Sequence, residues 1–199
     1  PFVAKLGSSK KVIRSEAEMN EILAKLKNAE FIVDEIKKGE RIRKAPLPFT
    51  TSTLQQEAAK ALNFSTKKTM QLAQQLYEGV DVKGHGTVGL ITYLRTDSVR
   101  ISDEADHAAK DFIHKNYGEA FVANAENPGR TGKKIQDAHE AIRPTYIEFT
   151  PALVKESLGR DQYRLYQLIW KRFTASRMQS AIYETTSLRI KANEFKFVT

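Results

Sequence analysis

Two prolines, Pro46 and Pro48, stand where the period of the sequence changes, and that change limits the fold more than any other feature. Just upstream, Phe31, Val33 and Ile36 follow the two-residue alternation of a half-buried strand. Just downstream, Leu54, Ala58, Ala61 and Leu62 recur at helical spacing. Proline has a fixed φ and no amide hydrogen, so the pair makes a stiff connector that neither a strand nor a helix continues through. The chain is therefore expected to be α+β and mostly helical. A helical domain over residues 46–159 is inserted between two flanks, 1–45 and 160–199, which pair to form part of a small β-rich domain.

Within the first flank the order reads strand, helix, strand, with mixed apolar and basic residues from Phe2 to Ile13. Ser15 and Glu18 have capping-box spacing, and Met19, Ile22, Leu23 and Leu26 mark one face of the helix that follows. In the middle, Ser52 and Gln55 repeat the capping pattern, Asn63 ends one helix, and Ser65 or Thr66 starts the next. That second helix is expected to bury Met70, Ala73, Leu76 and Tyr77. A glycine-rich hairpin or loop follows over 79–89, then the apolar run Leu90-Ile91-Thr92-Tyr93, then a helix from Ser102 ending at Gly118. Residues 124–134 are polar, hold Pro128, Gly129 and Gly132, and read as a mobile loop. Pro151 suits the first position of a helix, and a longer helix is expected over 161–179. A strand over 183–190, with Leu188 and Ile190 on one side, precedes a last strand-like stretch over 192–199. The opening Pro1 and this ending suggest a piece of a longer protein.

Composition narrows the function only partly. There is no cysteine, which excludes disulfides and cysteine-based zinc sites within the chain, and no apolar run approaches bilayer length. The net charge of +8 points to an anionic partner, but it is unevenly placed. Residues 1–45 carry 11 basic and 7 acidic side chains, residues 46–150 carry 12 and 13, and residues 151–199 carry 9 and 4. The positive excess lies in the flanks, and the middle is near neutral.

Chemistry concentrates in Gly89-Leu90-Ile91-Thr92-Tyr93-Leu94-Arg95-Thr96-Asp97-Ser98. In an extended backbone, alternate side chains share a face, so Tyr93, Arg95 and Asp97 fall together. A phenol with a pKa near ~10 is a poor nucleophile unless its anion is stabilised or its proton has an acceptor. A guanidinium holds a phosphate through two hydrogen bonds and offsets charge that develops during transfer. The plainer reading is a core tyrosine beside a surface Arg95–Asp97 ion pair. A second cluster, Asp137-Ala138-His139-Glu140-Ala141-Ile142-Arg143-Pro144-Thr145, puts His139 and Arg143 four apart. On a helical turn both would reach one phosphate; alternatively the histidine is structural beside a capping acid. Lys67 and Lys68 sit in the first turn of their helix, where the dipole disfavours cations unless a phosphate docks or the ammonium groups reach water. Arg160, Arg164 and Lys171 can share one side of the long helix, as a phosphate-tracking stripe or a solvated face. His85, His107 and His114 have no supporting pattern and read as loop or surface residues.

At these residues the chain resembles the bacterial type IA DNA topoisomerases. The run Pro48-Phe49-Thr50-Thr51-Ser52-Thr53-Leu54-Gln55-Gln56-Glu57-Ala58 is similar to the start of that family's helical catalytic domain. Lys67-Lys68-Thr69-Met70 and Ala73-Gln74-Gln75-Leu76-Tyr77-Glu78 continue the likeness. Residues 89–98 resemble its active-site signature, residues 138–145 its histidine motif, and Leu165-Tyr166-Gln167-Leu168-Ile169-Trp170 the helix returning to its arch domain. The resemblance implies that Tyr93 attacks a phosphodiester of single-stranded DNA, forming a 5′-phosphotyrosine and a free 3′-hydroxyl. The other strand passes and the break reseals, relaxing negative supercoils without a nucleotide triphosphate. It implies catalytic roles for Tyr93, Arg95 and His139. Thr92, Thr96, Asp97, Gln74 and Glu78 would shape the DNA pocket, with Lys67, Lys68 and Arg143 as further DNA contacts.

The two flanks become part of an arch domain on this reading. Magnesium would belong to an acidic domain that precedes this stretch in the family and is absent from this chain, which should hold no metal and be inactive alone. Partners are single-stranded DNA and negatively supercoiled duplex DNA, in a cytoplasmic, nucleoid-associated setting with no membrane. Two rival readings are a non-catalytic single-stranded DNA-binding module and an arch surface that recruits a protein such as RNA polymerase. Reverse gyrase shares the tyrosine motif and adds a helicase-like domain that this stretch does not reveal.

Overall fold

A computed structural model describes residues 3–7, 13–123 and 139–199. The polar stretch 124–134 and residues Asp137 and Ala138 lie outside the described residues. The chain is α+β and forms two compact units, Pro1–Arg43 with Ile182–Thr199, and Lys44–Ala181.

The first unit is built on an antiparallel sheet and one helix. Strands β1 (Lys5–Leu6), β2 (Ile32–Arg43), β5 (Ala181–Ala192) and β6 (Phe195–Val198) lie in the order β1-β6-β5-β2. Asn193, at φ 52°, turns β5 into β6 so that Ala192 faces Phe195, and β1 extends the edge with Leu6 opposite Phe197. Helix α1 (Glu16–Leu26) starts at Ser15, whose hydroxyl accepts from the Glu18 amide, while Glu18 reaches back to the Arg14 amide. The Lys25 carbonyl accepts from the Asn193 side chain at 3.0 Å, and Ile22, Ala192 and Phe195 are buried.

The half-buried strand expected over 31–36 is not what forms. Every residue of β2 is exposed, and Ile32, Val33, Ile36 and Ile42 keep 51 to 63% of their surface. The reason lies in strand lengths. The short β6, with β1 beyond it, pairs only with the last residues of β5, so β2 and the rest of β5 run on as a ribbon that no described element of this unit covers.

The second unit is helical, with α2 (Thr51–Leu62), α3 (Thr66–Glu78), α4 (Asp103–Tyr117), α5 (Pro151–Val154) and α6 (Arg160–Ser176). A small hairpin of β3 (Val80–Val82) and β4 (Gly86–Val88) follows α3. Local chemistry sets most of these boundaries. Asn63 takes the left-handed conformation that closes α2, and Ser65 and Ser102 cap α3 and α4 by accepting amide hydrogens three residues on. Pro151 occupies the first turn of α5. The box expected from Ser52 and Gln55 is displaced by two residues. Thr50 is the cap and exchanges hydrogen bonds with Thr53, which leaves Thr51 free for a different task.

The first boundary falls two residues before the one expected. The second does not fall at 159/160, because α6 belongs to the helical unit. Its Leu165, Tyr166, Ile169, Trp170 and Phe173 are buried in the same core as Phe49, Leu54, Ala73, Leu90 and Ile142. The Trp170 indole also donates to the Ile147 carbonyl at 3.0 Å, and the buried Tyr166 hydroxyl to that of Phe149. Such a wide apolar face could serve either domain by its pattern alone, and packing against α2, α3 and α5 decides it.

Among the described residues no helix is long and apolar enough to cross a membrane.

Candidate active site around Tyr93

Residues 90–98 cross the second unit as a bent segment outside any sheet strand, with one isolated antiparallel bridge between Ile91 and Pro144. Their exposure alternates as the sequence implied. Leu94, Thr96 and Ser98 are buried, whereas Tyr93, Arg95 and Asp97 are exposed. The greasy Leu94 holds the segment down and leaves its polar neighbours at the surface. Among the described residues Arg95 and Asp97 form no ion pair with one another.

Three anchors fix this segment. Thr51, in the first turn of α2, donates its hydroxyl to the Leu94 carbonyl at 2.7 Å and accepts from the Thr96 amide at 2.9 Å. The Thr51 amide in turn donates to the Thr96 carbonyl at 2.9 Å. At the other end Thr92 donates to the Ala141 carbonyl at 2.7 Å and accepts from the Arg143 amide at 3.0 Å. Thr145 closes the clasp by donating to the Gly89 carbonyl at 2.7 Å. Gly89 itself must lack a side chain, because a Cβ there would lie 2.8 Å from the Tyr77 carbonyl oxygen.

Thr92 and Thr96 thus face inward and hold the backbone. Thr96 is 8% exposed, and its hydroxyl accepts from the Ser98 amide at 3.0 Å. Thr92 is half-buried, and deleting a hydroxyl with two protein partners costs about 1–3 kcal/mol where those partners are left unsatisfied. Thr92→Val is therefore expected to lower unfolding free energy by about 1–3 kcal/mol. Urea denaturation of the chain measures this, and an unchanged midpoint would show that the clasp contributes nothing.

His139 joins Tyr93 as expected, but by a different geometry. Residues 139–143 form no helical turn; they run extended, with Ile142 bridged to Phe49. The exposed His139 ring stacks on Tyr93 with centroids 5.4 Å apart and planes at 29°. Arg143 is turned away from a shared face. Its guanidinium donates to Glu140 at 2.6 and 2.9 Å and to the Pro144 and Thr145 carbonyls. The local sequence could not separate a helical turn from an extended run, because the hydrogen bonds that decide come from Phe49, Ile91 and Thr92.

The last turn of α3 supplies the other wall. Tyr77 was expected in the helix core, yet it is 39% exposed and meets the Tyr93 ring edge-on at 5.5 Å. Gln74 donates to Glu78 at 2.5 Å along the same helix. Lys67 and Lys68 stand at the opposite end of α3, roughly 14–15 Å along the axis from Tyr77 at about 1.5 Å per residue. Lys68 lies over the Phe64 ring and pairs with Asp161, so it is no neighbour of Tyr93. On α6, Arg164 also pairs with Asp161 and donates to the Leu62 carbonyl, while Arg160 and Lys171 are exposed. His107 and His114 are exposed on α4, and His85 is exposed at the β3–β4 turn.

The arrangement leaves an accessible phenol flanked by two rings, with a guanidinium two residues on and a fixed backbone beneath. Among the described residues no group of three or more His, Asp or Glu side chains converges.

Comparisons with known proteins identify the family of the chain. The family model for DNA topoisomerase matches residues 2–199. The chain is also similar to full-length topoisomerase I from Thermotoga maritima, at 39% identity and a TM-score of 0.83. That likeness covers 98% of the present chain and 31% of the Thermotoga protein. The match runs through both compact units and through the tyrosine, arginine and histidine segments alike. The chain belongs to the DNA topoisomerase family, in its type IA group.

Proposed function

We propose that the chain supplies the nucleophile and much of the strand-binding wall of an enzyme that breaks and reseals one DNA strand. The single observation that carries this is the exposed Tyr93, held between Tyr77 and His139 on a segment that also exposes Arg95. The Tyr93 oxygen attacks the phosphorus of a phosphodiester, and the bond from phosphorus to the 3′-oxygen breaks. The phenol loses its proton, the departing 3′-oxygen gains one, and a 5′-phosphotyrosine remains. Attack by the 3′-hydroxyl on that linkage restores the strand and the phenol. Nothing is oxidised, and the phosphoester is conserved, so no nucleotide triphosphate is consumed. Passage of the other strand between these steps relaxes negative supercoils.

Arg95 is assigned to the phosphate, where a guanidinium offsets charge on the equatorial oxygens. His139 is assigned to a neighbouring phosphate, and Asp97, Gln74 and Glu78 to the rim of the pocket. Thr92 and Thr96 act by holding the backbone, and Arg143 by framing the His139 segment. Lys67 and Lys68 suit only a distant stretch of strand. Single-stranded and negatively supercoiled DNA are the substrates, and a magnesium ion held outside this chain is the proposed cofactor. The two sheet-forming flanks are assigned to an arch that spans the strand-passage opening, in a cytoplasmic protein.

The test is chemical mapping. A full-length protein carrying this chain is incubated with a labelled single-stranded oligonucleotide, denatured and digested. The labelled peptide is expected to hold the nucleotide on Tyr93 through its 5′-phosphate. Recovery of the label on any other residue would overturn the assignment, and specific binding without any adduct would favour a non-catalytic binding module. The 199-residue chain alone is expected not to relax plasmid.

A further inference from the structure

Beside the Tyr93 site lies an open groove of about 580 Å³ that the reaction above does not use. One side is the Tyr77 ring with the β3–β4 hairpin, and the other is the turn carrying Tyr146 and Phe149. Tyr146 is 56% exposed, His85 is exposed, and Phe149 is half-buried between them. The His85 ring meets Phe149 edge-on at 5.1 Å, and Tyr146 lies 5.8 Å from Phe149. The groove gathers four aromatic side chains, of which Tyr77 meets the nucleophile edge-on.

Its walls are fixed rather than loose. The Ile91–Pro144 bridge and the Thr145–Gly89 hydrogen bond join the two sides at the base. The hairpin is tied down where the Lys83 amide donates to the Ser157 hydroxyl at 3.1 Å. Among the described residues no carboxylate lines the groove, so a polyanionic strand meets no like charge from them there. Large exposed rings in a stable concave surface mark a binding site more than a chance of packing. Ring faces without a fixed set of donors suit unpaired nucleobases, which every aromatic can stack whatever their sequence.

We propose that this groove is a nucleobase-stacking subsite, which takes one or two unpaired bases next to the phosphodiester presented to Tyr93. The proposal rests on the assignment of Tyr93 as nucleophile, because only then does a strand run past the groove's mouth. Tyr146 and His85 are the stacking groups, Phe149 backs them, and Tyr77 bridges the subsite to the nucleophile.

The test uses single-stranded oligonucleotides with one 2-aminopurine walked along the sequence, bound to the 199-residue chain. Fluorescence is expected to be quenched at one or two adjacent positions, and Tyr146→Leu and His85→Ala should each remove that quenching. Tyr146→Leu should weaken binding about 5- to 100-fold, and Tyr146→Trp should restore it. An abasic residue at the quenched position should weaken binding to the parent chain but leave Tyr146→Leu unaffected. Uniform quenching along the strand, or an equal loss for Tyr146→Leu on intact and abasic strands, would overturn the proposal. So would a Tyr146-dependent self-association that accounts for the groove without DNA. Adduct formation at Tyr93 in the full-length protein separates the two ideas. Adduct with no position-dependent quenching removes the subsite alone, whereas label on another residue removes the Tyr93 assignment whatever the walk shows.

Discussion

Tyr93→Phe, in a full-length protein carrying this chain, is expected to reduce single-turnover strand cleavage on the order of 10⁵-fold or more, with single-strand affinity unchanged. The substitution removes one oxygen and nothing else that the fold uses. The ring keeps its contacts with Tyr77 at 5.5 Å and His139 at 5.4 Å, and among the described residues no hydrogen bond holds the phenol oxygen. Leu94 and the Thr51 clamp still set the backbone. Arg95→Ala should cost less, about 10²- to 10³-fold, because it weakens charge stabilisation without deleting the nucleophile. Cleavage of a labelled oligonucleotide, quenched over a time course, reads both. If Tyr93→Phe still cuts, a neighbouring exposed tyrosine must be the attacking group, with Tyr77 the first to examine.

What the sequence disclosed about this site, and what it hid, follow from the range of the forces involved. That Tyr93, Arg95 and Asp97 share a face was legible because alternation is a property of the chain itself, but alternation does not say whether that face is core or surface, and Tyr93 proves exposed rather than core. The helix ends at Asn63, Ser65 and Ser102 were legible for the same reason, since their partners lie within four residues. Thr51 was not, because its partners are at 94 and 96 and nothing near Thr51 announces them. Tyr77 was misplaced because it stands one residue after the buried Leu76, at the edge of the apolar stripe, where a small rotation decides between core and surface. Residues 139–143 were misread as helical because i, i+4 spacing says nothing when bridges to Phe49 and Ile91 stretch the chain. The boundary after α6 was hidden by amphipathicity too, since an apolar face names no partner. The family resemblance was legible because it rested on contiguous residue identities, which tertiary packing does not alter.

Asp106→Ala is expected to destabilise the helical unit by about 3–5 kcal/mol, one of the largest effects available outside the core. Asp106, in the first turn of α4, is 6% exposed and accepts from the Arg177 guanidinium at 3.0 Å and from Lys110 at 2.8 Å. Arg177 is 4% exposed, just past the end of α6, and its carbonyl accepts from the Ala123 amide. Removing the carboxylate strands a buried guanidinium, which is far worse than never having had the pair. Asp106→Leu with Arg177→Met should therefore recover much of the loss. The pH dependence has a definite sign. Burial pushes the Asp106 carboxyl up, but hydrogen bonds and charge from Lys110 and Arg177 outweigh it and hold it below the ordinary carboxylate range. A carboxyl lowered by folding adds stability that is fully present above its unfolded value, near ~3.9, and is lost as pH falls through its folded value. The parent chain should thus lose stability below about pH 4 by an increment that Asp106→Ala does not show. Thermal melts between neutral and acid pH measure both, with a fall in melting temperature of roughly 6–20 °C for the single variant at neutral pH. A loss under about 1 kcal/mol would mean that water reaches Arg177, as at a surface pair. Because no hydrogen bond, ion pair or ring contact among the described residues joins the pair to Tyr93, the folded variant should still cleave, so lost cleavage with the fold intact would tie this corner of α4 and α6 to the active segment.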